Sequence, residues 1–533
     1  MGRVSLLRGR MNSKDVEFDG NAYFGYVWRI IVGLILFTGC KKAPVPPLSQ
    51  ESQFPEAVAR ILIKRCAGCH TNMGGASNSP MHEEQASPVM PSTSMLNLTR
   101  WDSLFYGPSR EVPIVIPGDV EWSHILWKVN PNPAWGPTSE PICPPPMPDS
   151  SNFLSREEIE VLRAWIAQGA PNAAGQRPWE ERKRSCHRKA FVCASGSDVV
   201  AVFDLDTYHL LYQIPVGVRP GQIESPHYIQ LSPDGKYFYV TLIAGAAVEK
   251  YRTDTYEKVG RVEVGADPAH IEFSSDGRYA VVTHFTDVAP IKLTLIDAER
   301  MQVLDELRDP LGQIIARPHG LWITPDFRYA YVTANAGNYL TKVEISQDRT
   351  RFVDFEQIPL APSMVPQADP RWGPYQIIPE PTGQYYFVSC DASNEVRVFR
   401  QRDDSLVAVI PTAAAPKLMT YHEGLVYVAC LKARAPALQG DKLGAVAVID
   451  ALNLRLLTHI YGTGHLPRGI GVDPVRKQLL LSFENLAGMD PPHHYVGGIP
   501  GMPAKLYVLQ IPSFQIKAVR EFALVGYGLA ISP

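Results

Sequence analysis

A pattern of alternating apolar and polar residues recurs every 42 to 56 residues in the second part of the chain, and it constrains the fold more than any other feature. The clearest copies read PHYIQLSPDGKYFYVT from Pro226, AHIEFSSDGRYAVVT from Ala269 and PHGLWITPDFRYAYVT from Pro318, and weaker copies begin at Pro374, Pro416 and Pro467. Each copy contains one strand, a turn of the Pro-Asp-Gly type and a second strand, and two further strands precede the next copy. Four strands in a repeat of this length predict the blades of a β-propeller.

The two ends of this region complement each other. It closes on YGLAISP (residues 527–533), which is a first strand with no second, and it opens on KAFVCASGSDVVAVFDLD (residues 189–206), which holds a second and a third strand with no first. Paired side by side, they would complete one more blade and leave no free sheet edge at the junction. Six full repeats and this composite blade predict a ring of seven blades over residues 189–533.

The run Cys66-Ala67-Gly68-Cys69-His70 predicts covalent attachment of one haem c. In a Cys-x-x-Cys-His run, two thiols on one turn can add to the haem vinyl groups, and the adjacent imidazole can bind the iron. A zinc site would need a second ligand pair at zinc spacing. A thioredoxin-like pair would follow a strand, whereas residues 54–65 have the apolar spacing of an amphipathic helix.

A second axial ligand is expected on the other face of the haem, and methionine is common there in electron-transfer cytochromes. The residues alone leave five candidates, which are Met73, Met81, Met90, Met95 and Met147. Met147 is distinguished by a proline run, PPPMP, which stiffens the backbone around it. Ser155 then opens a helix with a capping box, and Gly169 ends it.

Residues 54–172 resemble the small cytochrome c domains of the planctomycete-type group. The matching segments are CAGCH, IPGDVEWSHIL, PPPMP and EIEVLRAWIAQGA. The resemblance implies that His70 is the proximal iron ligand and Met147 the distal one. The repeats from residue 189 onwards resemble the YVTN family of seven-bladed propellers, whose relatives include a domain of nitrous-oxide reductase and a group of lactonases. That second resemblance is generic in function.

The predicted fold class is therefore multidomain, with a small all-α cytochrome c domain (54–172) followed by an all-β seven-bladed propeller (189–533). Residues 173–188 could be either a linker or an ordered strut. At the other end, an apolar run at residues 30–37 is too short to span a bilayer and is typical of a signal-peptide core. Residues 1–40 are predicted to be this signal, with residues 41–53 as a tether.

Thr38-Gly39-Cys40 resembles the lipobox of bacterial lipoproteins, in which the cysteine becomes the lipidated first residue, although Phe37 departs from the usual aliphatic residue. An ordinary signal peptide or an uncleaved anchor is the alternative. The acidic residues in 1–21 are unusual in a signal sequence and suggest a translation start near Val27. The expected location is the periplasmic side of a bacterial cell envelope, with membrane attachment through lipid on Cys40.

Three histidines of the repeats, His227, His270 and His319, are predicted to share one position at the mouth of the innermost strands. In a closed ring they would converge on the axis, and three imidazoles can bind copper or iron. His284 could join them. The alternative is that a Pro-His step is ordinary in such repeats, with the ring bonded to a neighbouring backbone. In later repeats Tyr375, Lys417 and Arg468 take the position, which would suit an anionic ligand or simply a solvated rim.

Eight cysteines and a formal net charge of -3 add limited information. The charge gives no indication of nucleic-acid binding. Beyond Cys40, Cys66 and Cys69, five cysteines remain, namely Cys143, Cys186, Cys193, Cys390 and Cys430. Because five cysteines cannot all form pairs, at least one free thiol is expected. Cys186 with Cys193 is the favoured disulfide.

Three hypotheses of function follow. The first, which we favour, is a haem c electron carrier that exchanges electrons with a redox partner protein while the propeller docks a partner or binds an unknown small molecule. The second is an oxidoreductase with a substrate or metal site in the propeller funnel. The third is a structural propeller with a sensory haem. The sequence favours a carrier over an enzyme.

Overall fold

A computed structural model describes residues 53–66, 98–105, 113–136, 154–183, 187–219, 222–288, 290–433, 444–484 and 503–533. Residues Leu48–Pro533 form one compact unit. The predictions for the signal, Cys40, Cys69, His70 and Met147 lie outside the described residues. Within these ranges, no helix is long and apolar enough to cross a membrane.

The regular secondary structure of the described residues before residue 184 is helical. Its helices are α1 (Glu56–Ile61), which continues as a π-helical turn (Leu62–Cys66), α2 (His124–Val129) and α3 (Arg156–Ala167), with short 3-10 turns at Asp102–Leu104, Pro133–Trp135 and Glu180–Lys183. The predicted capping box forms, because Ser155 and Glu158 each bond the other's backbone amide. Gly169 then takes a left-handed φ of 90°, which ends α3 as expected. Apolar residues of all three helices share one core.

The rest of the described chain forms 28 strands in seven four-stranded sheets. The sequence-based count of seven blades is therefore confirmed. In chain order the strands are β1 (Lys189–Ala194), β2 (Val199–Asp204), β3 (Leu210–Pro215), β4 (Pro226–Leu231), β5 (Tyr237–Leu242), β6 (Ala247–Arg252), β7 (Lys258–Glu263), β8 (Pro268–Phe273), β9 (Tyr279–His284), β10 (Ile291–Asp297), β11 (Gln302–Asp309), β12 (Pro318–Ile323), β13 (Tyr329–Ala334), β14 (Tyr339–Ile345), β15 (Phe352–Pro359), β16 (Pro374–Pro379), β17 (Tyr385–Cys390), β18 (Glu395–Arg400), β19 (Leu406–Pro411), β20 (Ala414–His422), β21 (Leu425–Lys432), β22 (Ala445–Asp450), β23 (Arg455–Tyr461), β24 (Pro467–Asp473), β25 (Gln478–Phe483), β26 (Pro503–Gln510), β27 (Gln515–Leu524) and β28 (Gly526–Ile531).

Blade 1 is the composite blade. Its innermost strand is β28, which pairs antiparallel with β1, for example Ala190 opposite Ile531. Blades 2 to 7 follow in order, from β4–β7 to β24–β27. The innermost strands of neighbouring blades pack against one another all the way around the ring. The closure predicted from the two incomplete ends of the repeat region is thus confirmed, and it leaves β1 without a free edge.

One hydrogen-bond pattern recurs between neighbouring blades. A hydroxyl near the end of the second strand accepts from an amide of its own blade's first strand and donates to a carbonyl of the next blade. Thr241 Oγ1, for example, lies 3.1 Å from Tyr228 N and 2.7 Å from Ala269 O. The other hydroxyls with the same role belong to Thr283, Thr333, Ser389 and Ser482.

Cys193 takes the corresponding position in blade 1, where its side chain lies in the apolar core shared with blade 2. The thiol is fully buried, forms no disulfide, and has its pKa raised by burial. The predicted pairing of Cys193 with Cys186 is therefore wrong, because this side chain faces the interior between two blades.

The helical part docks on the junction of blades 1 and 7, which we call the seam. Ile116 is buried in the same apolar cluster as Phe203 of blade 1 and Phe522 of blade 7. Gln213 on β3 donates from Nε2 to Asp119 Oδ2 at 2.7 Å, and its Oε1 accepts from the Ala523 amide of β27 at 3.0 Å. One glutamine side chain thus joins the helical part to both blades.

Residues 173–183 form an ordered strut along blade 1. The Tyr212 hydroxyl donates to the carbonyl of Pro178 at 2.7 Å. The Trp179 ring stacks on His209, with centroids 6.1 Å apart. Of the two possibilities left open by the sequence, these contacts support the strut.

Candidate functional site

The candidate site is formed by one residue from each innermost strand, which directly follows a proline in blades 2 to 7 and Gly526 in blade 1. From blade 2 round to blade 1, these are His227, Ala269, His319, Tyr375, Lys417, Arg468 and Tyr527. We call them the axial ring. Five of the seven agree with the repeat position assigned from the sequence, Tyr527 was not recognised, and the residue from blade 3 differs.

His270 does not occupy the repeat position of His227 and His319, contrary to the sequence-based expectation. Its amide donates to Thr283 Oγ1 at 3.0 Å. The equivalent bond in blade 2 runs from the Tyr228 amide to Thr241 Oγ1. The carbonyl that accepts from the preceding blade belongs to Ala269. His270 therefore lies one residue further along the strand, so its side chain leaves the opposite face of the pleat.

The three imidazoles nevertheless come together. The ring centroid of His319 lies 4.5 Å from that of His270 and 5.8 Å from that of His227. Each imidazole also packs on a tyrosine ring: His270 on Tyr228 at 4.0 Å, His227 on Tyr527 at 4.1 Å and His319 on Tyr375 at 3.8 Å. The predicted convergence is thus present, although it draws on two strand positions.

Burial fixes the protonation of these rings. The exposed fractions are 5% for His227, 1% for His270 and 0% for His319. Desolvation lowers the pKa of His270 to about 3 and the pKa values of the other two well below their usual range. All three imidazoles are therefore neutral at physiological pH.

The hydrogen bonding of the cluster is incomplete. His319 Nδ1 lies 2.9 Å from the carbonyl oxygen of Tyr375, which can only accept, so Nδ1 carries the proton and Nε2 has the lone pair. Among the described residues, Nε2 of His227, His270 and His319 is buried in each case with no hydrogen-bond partner. Such atoms are rare in folded proteins and call for a physical explanation.

A metal at this site stays a prediction. Within the described ranges, no group of three His, Cys, Asp or Glu side chains is arranged to hold a metal ion. His284 does not join the cluster, because both of its nitrogens are engaged elsewhere. Its Nδ1 lies 2.7 Å from Ala266 O, and its Nε2 lies 2.9 Å from Thr294 Oγ1.

The cationic half of the axial ring is paired with carboxylates. Lys417 Nζ forms an ion pair with Asp391 and lies 3.9 Å from the centroid of the Tyr375 ring. Arg468 forms an ion pair with Glu484 and donates from one terminal nitrogen to the Tyr375 hydroxyl at 3.0 Å. The positive rim expected from the sequence is thus largely neutralised by its own neighbours.

Sequence reasoning missed both carboxylates and Tyr527. Asp391 and Glu484 each follow the last residue of a second strand, β17 and β25, so they share one repeat position. That position lies beside the axial ring, and reading the repeats for charge at this second position could have identified both pairs. Tyr527 completes the ring from the C-terminal strand, and its hydroxyl lies 3.2 Å from that of Tyr375.

The haem motif is described only at its first residue. Cys66 ends the π-helical turn after α1 and packs, partly buried, against the helical core. Arg65 Nε beside it lies 3.6 Å from Glu158 Oε1 of α3. A cysteine held at the edge of an apolar core, at the end of a helical turn, fits a thiol that carries haem.

Comparison with known proteins identifies a family and several relatives that resemble the propeller. Residues 195–485 match the family model described as "Lactonase, 7-bladed beta-propeller". An uncharacterized protein of Staphylococcus aureus strain USA300 is 28% identical over 112 residues, which are 18% of this chain and 32% of the relative. Uncharacterized proteins of other strains of that species match to the same extent. The chain thus spans about a third of the length of the curated relatives it matches.

Among solved structures, a protein of unknown function from Desulfotomaculum acetoxidans is 15% identical, with 64% of this chain and 98% of that chain covered and a TM-score of 0.48. A putative 6-phosphogluconolactonase from Bacteroides fragilis is 16% identical, with 65% and 98% covered and a TM-score of 0.48. A dihydro-heme d1 dehydrogenase is 14% identical, with 76% and 90% covered and a TM-score of 0.44.

The family match includes more than half of the chain and lies within the seven-sheet ring described above. The chain therefore belongs to the lactonase family of seven-bladed β-propellers.

Proposed function

We propose that this protein is an electron carrier of the bacterial cell envelope, with one haem c bound covalently through Cys66 and Cys69. The observation that carries this proposal is the Cys-x-x-Cys-His run itself, which begins where a helical turn meets a folded apolar core. His70 and Met147 would be the iron ligands. When bound, the haem supplies reversible one-electron oxidation and reduction.

The described residues would position the haem rather than react. The helical core anchors Cys66, and the contact of Arg65 with Glu158 ties the turn to α3. The propeller would serve as a rigid scaffold, because the helical part is bonded to two of its blades through Gln213. A redox partner protein would exchange electrons with the haem, and lipid on Cys40 would hold the chain at the membrane.

Membership of the lactonase family does not decide the activity, because one fold hosts many unrelated sites. A second candidate function is an oxidoreductase whose axial site handles a substrate while the haem takes up or delivers electrons. The unpartnered Nε2 atoms at the axis favour keeping this candidate. Substrate-dependent reduction of the haem that is lost in His270→Phe would support it over a plain carrier.

The test is expression of the full chain in a bacterial host that attaches haem c. We expect one iron per chain, a c-type spectrum and haem that stays with the polypeptide under denaturing conditions. Cys66→Ala together with Cys69→Ala should abolish covalent attachment. Met147→Ala should remove the methionine-to-iron absorption band, whereas Met95→Ala should leave it unchanged. A correctly exported, folded chain that carries no haem would refute the proposal.

A further inference from the structure

The axial histidines pose a question that electron transfer through a haem does not answer. Three imidazole rings pack together, and the buried Nε2 atom of each has no hydrogen-bond partner among the described residues. Leaving a buried polar atom without a partner is unfavourable. His284 differs in this respect, because both of its ring nitrogens form hydrogen bonds. An additional group bound at the cluster could therefore provide the hydrogen bonds that these nitrogens lack.

The chemistry of the cluster defines what that group must offer. His319 has its proton on Nδ1, held by the carbonyl of Tyr375, so its Nε2 presents a lone pair. Such an atom accepts a hydrogen bond and cannot donate one. An occupant has to bring N–H or O–H groups.

The surrounding charges disfavour a cation. Lys417 and Arg468 belong to the same axial ring, and their carboxylate partners Asp391 and Glu484 are already engaged with them. Glu272, two residues beyond His270 on β8, is mostly uncharged at neutral pH because burial raises its pKa to about 8. A buried cation would thus lack a free counter-charge, which makes its desolvation unfavourable.

The space is small. The His319 centroid is only 4.5 Å and 5.8 Å from its two neighbours, and each imidazole is also covered by a tyrosine ring. Exposure of the three side chains is 5% or less, so the site is closed to bulk solvent. Rings packed this closely leave room only at their edges, and only for a molecule of a few heavy atoms.

We propose that the axial histidine cluster is a closed binding site for one small uncharged hydrogen-bond donor, of the size of water, ammonia or hydroxylamine. The occupant donates to Nε2 of His319 and of at least one neighbouring histidine. This inference concerns the propeller alone and does not depend on haem attachment.

The experiment is a high-resolution crystal structure of the full chain, with diffraction data also collected at the zinc, copper and iron absorption edges. We expect a density peak within hydrogen-bond distance of at least two of the Nε2 atoms, without anomalous signal. The peak should be lost in His270→Phe, which keeps an aromatic ring on Tyr228 but removes both nitrogens. The matched control Tyr228→Phe keeps the stack and all acceptors, so the peak should remain.

A second measurement needs no variant. In protein labelled with 15N at histidine, Nε2 of His319 should have the chemical shift of an unprotonated nitrogen that accepts a hydrogen bond. An anomalous peak at the cluster would show a metal and overturn the proposal. Direct N–H to N bonds among the imidazoles, or an empty cluster, would overturn it equally.

Discussion

The seam and the axial ring treat buried polar groups in opposite ways. At the seam, Gln213 uses both ends of its amide, one toward Asp119 and one toward the Ala523 backbone. At the axis, three histidines lie together with one nitrogen each left without a partner among the described residues. Both regions are assembled from several elements at once, so assembly alone does not explain the difference.

This difference in hydrogen bonding distinguishes a structural role for buried polar groups from a binding role. A buried side chain with all its hydrogen bonds satisfied contributes to stability and specifies one packing arrangement. A buried side chain with an unused acceptor destabilises the protein unless something else binds there. We therefore interpret the seam as a structural joint and the axis as a binding site.

The largest effect should come from removing the strand that closes the ring. Deletion of residues 526–533 takes away β28, so β1 loses its inner partner and blades 7 and 2 lose a neighbour. We expect loss of cooperative thermal unfolding and rapid proteolysis of the propeller. Circular dichroism melting and limited trypsin digestion measure this, and removal of the exposed Pro533 alone is the control. Cooperative melting of the truncated chain would show that the ring does not depend on this closure.

The bonded histidine His284 should make stability depend on pH. Burial lowers its folded-state pKa to about 4, below the unfolded value of about 6.5. The unfolded chain therefore binds more protons between these values, so this contribution is fully present above pH 6.5 and is lost as pH falls toward 4.

We expect the free energy of unfolding to fall over this range, and His284→Gln should reduce the slope by up to about 1.4 kcal/mol per pH unit, the value for one proton. Urea titrations at several pH values measure the slope. His465→Gln, outside the strands, is the control for a general effect of removing a histidine. An unchanged slope in His284→Gln would mean that His284 is not neutral in the folded protein.

The sequence was enough to predict the ring, the composite blade and the capped third helix, because each rests on a local periodic pattern. It was not enough for the axial site, because a one-residue difference in strand register moves a side chain to the other face. His270 follows Ala269 in AHIEF, whereas His227 follows Pro226 directly, and matching the histidines hid that offset. The hydrogen bonds of Thr241 with Ala269 and of the His270 amide with Thr283 show the register.

The long-range pairings could not be predicted from the sequence, for a different reason. Asp119 and Gln213 are far apart in the chain, and each is an ordinary polar residue in its own segment. Nothing local indicates that they bond. The pairs of Lys417 with Asp391 and Arg468 with Glu484 lie closer in the chain, and a comparison of repeat positions could have found them.

At the seam, Asp119→Asn should cost about 1–3 kcal/mol of unfolding free energy. Asp119 accepts from the Trp122 amide on one oxygen and from Gln213 on the other, and asparagine has only one oxygen to offer. Gln213→Glu in the same chain should restore most of the loss, because the new carboxylate can accept from the asparagine amide and still accept from Ala523. The double-mutant cycle measures this coupling.

Glu121→Gln, at an exposed neighbour, is the control for a change of charge in this loop. It should leave unfolding within about 0.5 kcal/mol of the parent. If the effects of the two single variants simply add in the double variant, Asp119 and Gln213 do not interact. The seam would then not be the joint between the helical part and the propeller.

The smallest effect concerns the hydroxyls between blades, which are fully bonded like the seam but recur in five of the seven blades. Thr241→Val keeps the shape of the side chain and removes a group that both accepts from Tyr228 and donates to Ala269. We expect a loss of about 1–2 kcal/mol in chemical denaturation, with Thr241→Ser close to the parent.

Blade 6 offers the reverse change. Ala429 stands on β21 where blades 2 to 5 have Thr or Ser, so Ala429→Ser would supply the missing hydroxyl. Because Ala429 is fully buried, the new group contributes only if both of its bonds form, and we then expect a gain of about 0.5–1 kcal/mol. A loss of stability would mean that the backbone of blade 6 is spaced differently, since a buried hydroxyl without partners is unfavourable. Thr241→Val and Ala429→Ser together test whether a satisfied polar group at one repeated position has the same energetic role in every blade.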